Sequence, residues 1–108
     1  DDLAAMESYF HENWQHGEVI ITLGKQGVVM LRKGQRIEVP AFVVDAVDTT
    51  AAGDTFIGYF LAAYAKHTDA KQALTRACAA SALAVTVDGA AQSIPDLDKV
   101  NKFVAKHT

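Results

Sequence analysis

With 108 residues, the chain has room for one small domain and a modest core. Half of its residues are hydrophobic, 21% are charged and the formal net charge is -3. That is an ordinary globular composition, and without a Lys/Arg cluster it argues against nucleic-acid binding. Cys78 is the only cysteine, which excludes an internal disulfide framework and fits a reducing compartment. No apolar run approaches membrane-spanning length and no signal-peptide pattern opens the chain, so a cytoplasmic protein off the membrane is expected.

Leu3, Met6, Tyr9, Phe10 and Trp14 recur at helical spacing and predict a first helix, with Trp14 as a packing residue. Residues 18–23 form a continuous apolar run between Gly17 and Gly24, the pattern of a buried strand. Gly24 to Gly27 turn the chain into a second strand from Val28 to Leu31. A further turn at 33–35 leads to a third strand, Arg36 to Val39, which Pro40 ends. Such short connections suggest an antiparallel edge on a sheet.

Ala41 to Val47 should run extended into Asp48-Thr49-Thr50-Ala51-Ala52-Gly53-Asp54, with a helix from Gly53 to about Lys66. Phe56, Phe60 and Ala63 share one face of it, and Ile57, Leu61 and Tyr64 broaden that face. Asp69 is placed to cap the next helix, whose inner stripe is small: Ala73, Ala77, Ala80, Ser81 and Ala84. Asp88-Gly89 is a turn, and a last helix from Asp96 to Lys106 has Leu97, Val100, Phe103 and Val104 as its apolar face. The four histidines are scattered, without the spacing of a transition-metal site.

Chemistry concentrates at 48–54. Small residues let the backbone approach a ligand, and the first N–H groups of the following helix present partial positive charge to an anion, most simply phosphate. A carboxylate at that helix start repels a merely bound phosphate. It makes sense if Asp54 takes a proton from a hydroxyl that attacks phosphorus. Asp is also simply favoured at helix starts, so spacing alone leaves the two readings level. Thr22, Gly24 and Gly27 read equally as turn residues. They are neither a dinucleotide fingerprint nor a Walker-type loop.

Asp48-Thr49-Thr50-Ala51-Ala52-Gly53-Asp54-Thr55-Phe56 resembles the C-terminal signature of the ribokinase-like (PfkB) carbohydrate kinases. Thr22-Leu23-Gly24-Lys25-Gln26-Gly27 is similar to that family's nucleotide-binding strand end. The stretch from Val85 to Pro95 resembles its last loop, in the same order and at matching spacing. The resemblance implies a three-layer α/β/α fold of class α/β, of which residues 1–108 are the C-terminal nucleotide-binding and catalytic-base portion. Here that portion consists of a short mixed or antiparallel strand group followed by three helices. Family members are far longer, so the sugar-binding portion and lid are expected to be absent from these residues.

The resemblance further implies an ATP-dependent sugar kinase, with Asp54 as general base and an anion hole of the Ala51, Ala52, Gly53 and Asp54 amides. Thr22, Gly24, Gly27, Gly53 and the position of Cys78 would border the nucleotide. Cys78 itself reads first as a buried structural thiol. Mg2+ would bridge phosphate oxygens. A monovalent activator, usually K+, would sit among Asp48, Thr50, Ala84, Val87, Gly89 and Ser93. The expected partners are nucleotide and sugar, with a homodimer or a complementary kinase segment as the protein partner. Two other classes remain open at this stage: a non-catalytic nucleotide-binding module, and an assembly piece that needs a second chain.

Overall fold

The computed structural model describes residues 2–13, 17–32, 34–47, 49, 52–66, 69–86 and 95–107. Helix α1 (Asp2–Asn13) is followed by strands β1 (Glu18–Thr22), β2 (Val28–Arg32) and β3 (Gln35–Val39), then by helices α2 (Ala52–Ala65), α3 (Ala70–Val85) and α4 (Leu97–His107). The strands form one antiparallel sheet in the order β1-β2-β3. Its register pairs Thr22 with Val28 and Val28 with Val39.

Strand β2 explains the layering. Alternate residues of a strand point to opposite faces, and here both faces are apolar. Val28 and Met30 join Phe56, Phe60, Leu74 and Ala77 under α2 and α3. Val29 and Leu31 meet Phe10 of α1 on the other face. The result is a three-layer α/β/α arrangement, and β2 is its most deeply buried strand. Arg36 ties α1 to the sheet, bonding Glu7 of α1 and Glu38 of its own strand at 2.6 Å each.

The small stripe of α3 does what small residues permit. Ala73, Ala77, Ala80 and Ala84 of the stripe are buried, Ala79 outside it is buried too, Ser81 is half-buried, and α3 packs closely on α2 and α4. Asp69 caps α3 as expected, accepting a bond from the Gln72 amide at 3.2 Å. Asp96 accepts from the Lys99 amide at 2.9 Å, so it caps α4 rather than beginning it.

Three expectations of burial fail. Strand β1, read as a buried strand, is exposed at Glu18 and Thr22 and half-buried between them. Leu97 of α4 is 48% exposed. Helix α2 buries less of its apolar surface than expected. Phe56, Phe60 and Ala63 are buried, but Ile57 and Leu61 are 56% and 58% exposed. They do not broaden the core face, because α3 and the sheet fill the opposite side of the helix. Trp14, Asp48, Thr50, Ala51, Val87, Asp88, Gly89 and Ser93 lie outside the described residues.

Candidate active site

Among the described residues, the expected site residues fall at two places, one turn after β1 and the start of α2. At the end of β1, the Leu23 amide bonds the Gly27 carbonyl at 2.8 Å and the Gly27 amide bonds Gly24 at 3.2 Å, which closes a tight 3-10 turn over Gly24–Gln26. Gly24 and Gly27 both have positive φ, 58° and 101°. Gly27 also lies against the end of β3, where a Cβ would run into the Val39 carbonyl, Pro40 and Ala41. Thr22 is the last β1 residue, paired with Val28 across the turn.

The same stretch, 39–41, forms one wall of an apolar pocket of about 420 Å³, with Phe42, Val43, Lys71, Thr75 and His107 as the rest of its lining. No sequence pattern pointed to it, because its walls come from β3, α3 and α4. Cys78 does not line it. The thiol is buried in the core under α3, and burial pushes it up to about 11 from an ordinary 9.0. The folded chain therefore holds that proton more tightly than the unfolded chain. The resulting stabilisation is complete below pH 9 and is lost as the pH rises through about 11. Tyr59 is raised by burial and then by Asp96, and Tyr64 first by its bond to Glu18, so both act in the same direction. Urea titrations should show stability falling over this range, and Cys78→Ala should remove roughly 1–2 kcal/mol of the fall. Free-thiol reactivity with iodoacetamide at pH 8 would contradict the buried position.

The second locus is the start of α2. The Val47 amide bonds the Val85 carbonyl at 2.6 Å, and Ser81 Oγ bonds the Ala52 carbonyl at 3.2 Å. These two bonds draw the entry to α2 onto the last turns of α3, where Ala84 is buried. Ala84 is the one described member of the expected cation set; the other five lie outside the described residues. The Ala52 amide is already engaged, bonded to the Thr49 carbonyl at 3.2 Å. The Gly53 and Asp54 amides have no acceptor within the helix by its geometry. Gly53 is exposed, and a Cβ there would meet nothing within 4 Å.

Asp54 is solvent-exposed, and among the described residues its carboxylate has no hydrogen-bond or ion-pair partner. It borders a second pocket, about 280 Å³, with Thr55, Gly58, Tyr59 and Ala62. Tyr59 donates its hydroxyl proton to the Pro95 carbonyl, which ties α2 to the approach to α4. Thr55 is 3% exposed, and among the described residues its Oγ1 has no hydrogen-bond partner. The sequence reading quoted Thr55 only as part of a motif, and its burial depends on packing that the motif does not encode. Among the described residues, no three His, Cys, Asp or Glu side chains gather to hold a metal ion. No helix among them is long and apolar enough to cross a membrane.

The chain is thus a three-layer α/β/α arrangement with an exposed carboxylate, unpartnered among the described residues, in the first turn of a helix. The pattern of the pfkB family carbohydrate kinases matches residues 1–97, and the chain belongs to that family. It is 41% identical over 97 residues to the ribokinase of Haemophilus influenzae, covering 90% of this chain and 31% of that protein. Among solved structures, Arabidopsis thaliana ribokinase complexed with ribose and ATP is 35% identical with a TM-score of 0.77, covering 81% of this chain and 28% of that one. A provisionally named ribokinase II of Escherichia coli, solved with ATP and Mg2+, is 32% identical with a TM-score of 0.86, covering 99% of this chain and 34% of that one. The chain spans 28–31% of the length of such curated relatives.

Proposed function

We propose that these residues form the phosphoryl-transfer portion of an ATP-dependent sugar kinase. The carrying observation is Asp54: an exposed carboxylate without a partner among the described residues, in the first turn of α2 beside the exposed Gly53. Asp54 accepts the proton of the attacking sugar hydroxyl. The Gly53 and Asp54 amides hold the phosphoryl oxygens on which charge develops. The turn at Thr22, Gly24 and Gly27 borders the nucleotide phosphates. The apolar pocket on the far side of Gly27 takes the base, since 39–41 forms a wall of one and the packing surface of the other.

Mg2+ would neutralise phosphate charge and bridge phosphate oxygens. Among the described residues no set of carboxylates gathers to hold it. A monovalent cation would sit beside Ala84, among backbone carbonyls and Asp48.

The acceptor side is not built from these residues, so the chain by itself should release no ADP from ATP with any sugar. A chimera in which it replaces the matched part of the Haemophilus influenzae ribokinase should release ADP in the presence of one class of sugar or nucleoside. A folded chimera inactive with pentoses, hexoses and nucleosides alike would overturn the reading. Gly53→Ala separates site from scaffold in that chimera. The change should raise helix stability by about 0.5–1 kcal/mol. The same methyl intrudes on the anion space, so turnover should fall about 10²-fold.

A further inference from the structure

The inner stripe of α3 is alanine except at Ser81. Ala73, Ala77, Ala80 and Ala84 are buried, and Ser81 sits half-buried among them with a hydroxyl to place. A hydroxyl on a helix ordinarily bonds a carbonyl of its own preceding turn. The two threonines of this stretch do so: Thr75 donates to the Lys71 carbonyl at 2.8 Å and Thr86 to the Leu83 carbonyl at 2.7 Å. The hydroxyl proton of Ser81 goes elsewhere. It crosses to α2 and is donated to the Ala52 carbonyl at 3.2 Å.

That acceptor matters because of the peptide it belongs to. The Ala52 carbonyl and the Gly53 N–H are opposite poles of one planar unit, so holding the carbonyl aims the N–H. The preceding N–H, that of Ala52, is already bonded to the Thr49 carbonyl at 3.2 Å. The Gly53 N–H is therefore the first of α2 left for an outside acceptor, and its direction is set by a side chain of another helix. A proton donated to the carbonyl also draws electron density out of the peptide and makes its N–H the stronger donor. One turn further along α3, the Val85 carbonyl accepts from the Val47 amide at 2.6 Å. Helix α3 thus grips the chain on both sides of 48–51, by backbone before it and by the Ser81 hydroxyl after it.

We propose that Ser81 is a positioning residue for phosphoryl transfer. Its hydroxyl fixes and polarises the Ala52–Gly53 peptide, so that the Gly53 N–H meets the phosphoryl oxygens in the transition state. The inference rests on the kinase reading and adds to it a residue on another helix, outside the 48–56 motif. Ser81 keeps its proton throughout and acts only through the peptide it holds. The division of effects follows. Nucleotide in the ground state is bordered by the turn at Thr22, Gly24 and Gly27, which Ser81 does not touch. An interaction tuned to the transition state is felt in turnover and not in that binding.

The test is steady-state kinetics of Ser81→Ala, Ser81→Thr and Tyr64→Phe in the Haemophilus influenzae ribokinase chimera, whose own turnover is measured first. Ser81→Ala should lower kcat about 5–20-fold, less than the 10²–10³-fold of a donor removed outright, since the amide remains and only its aim is lost. The KM for ATP should stay within about two-fold, and kcat/KM for the sugar should fall with kcat. Ser81→Thr keeps the hydroxyl and should restore most of kcat. Tyr64→Phe removes a hydrogen bond from the far end of α2, where Tyr64 donates to Glu18 at 2.7 Å, and should leave kcat unchanged. Thermal melts of Ser81→Ala and Tyr64→Phe should agree to within a few degrees, which separates turnover from fold. Ser81→Ala turnover within about two-fold of the parent would overturn the inference and leave Asp54 as the base. So would an equal loss in Tyr64→Phe, a Ser81→Thr variant as slow as Ser81→Ala, or a rise in the KM for ATP in place of the fall in kcat. A parent chimera without turnover would overturn the kinase reading itself, and the inference with it.

Discussion

Asp54→Asn, placed in the active chimera, should lower kcat by about 10²–10⁴-fold and leave nucleotide affinity nearly unchanged. Asparagine keeps the size of the side chain but loses the negative oxygen that accepts the hydroxyl proton. Among the described residues Asp54 has no ion-pair or hydrogen-bond partner, so no other contact is lost with the charge. The fold should be indifferent for the same reason: an exposed first-turn residue replaced by Asn alters stability by a few tenths of a kcal/mol. The loss should appear equally in kcat and kcat/KM for the sugar, the sign of an interaction made only in the transition state. Turnover within a few-fold of the parent would remove Asp54 as the base. It would leave the amides of α2 as a binding feature and not a catalytic one.

How far sequence reached depends on how local each feature is. Strand ends and helix starts were readable to within a residue, because Gly24, Pro40, Asp69 and Asp96 act on their own neighbours. The α3 stripe was readable because Ala73, Ala77, Ala80 and Ala84 recur at helical spacing, although burial extends beyond it to Ala79 and Ala82. Helix α2 was not, and for a physical reason. A helix apolar on every side gives no period to say which side is filled, so Ile57 and Leu61 were assigned inward when they face out. Asp54 and Gly53 were identifiable as residues. Their useful properties, an unpaired carboxylate and an open approach, belong to the packing. The apolar pocket was invisible for the same cause: Val39, Thr75 and His107 are far apart along the chain and meet only when α4 closes on α3 and β3.

Gly27→Ala should be the most damaging small substitution in the scaffold, at about 3–5 kcal/mol. Two separate costs combine there. Gly27 has φ 101° and ψ -141°, a region essentially closed to residues with a side chain, which costs about 1–3 kcal/mol. The new methyl would also collide with the Val39 carbonyl, Pro40 and Ala41, which are backbone and cannot rotate aside. Relief requires β3 to move from β2 at the Val28–Val39 pair, and that pair joins the buried cluster beneath α2 and α3. Gly24→Ala is the matched control. Gly24 also has positive φ, 58°, but a Cβ there meets nothing within 4 Å, so only the conformational cost of about 1–2 kcal/mol applies. Denaturant titration of the two variants should separate them by at least about 1–2 kcal/mol. Equal losses would mean that the close approach between the turn and 39–41 is not maintained in solution. The nucleotide turn and the wall of the apolar pocket would then not be held together as the proposed function requires.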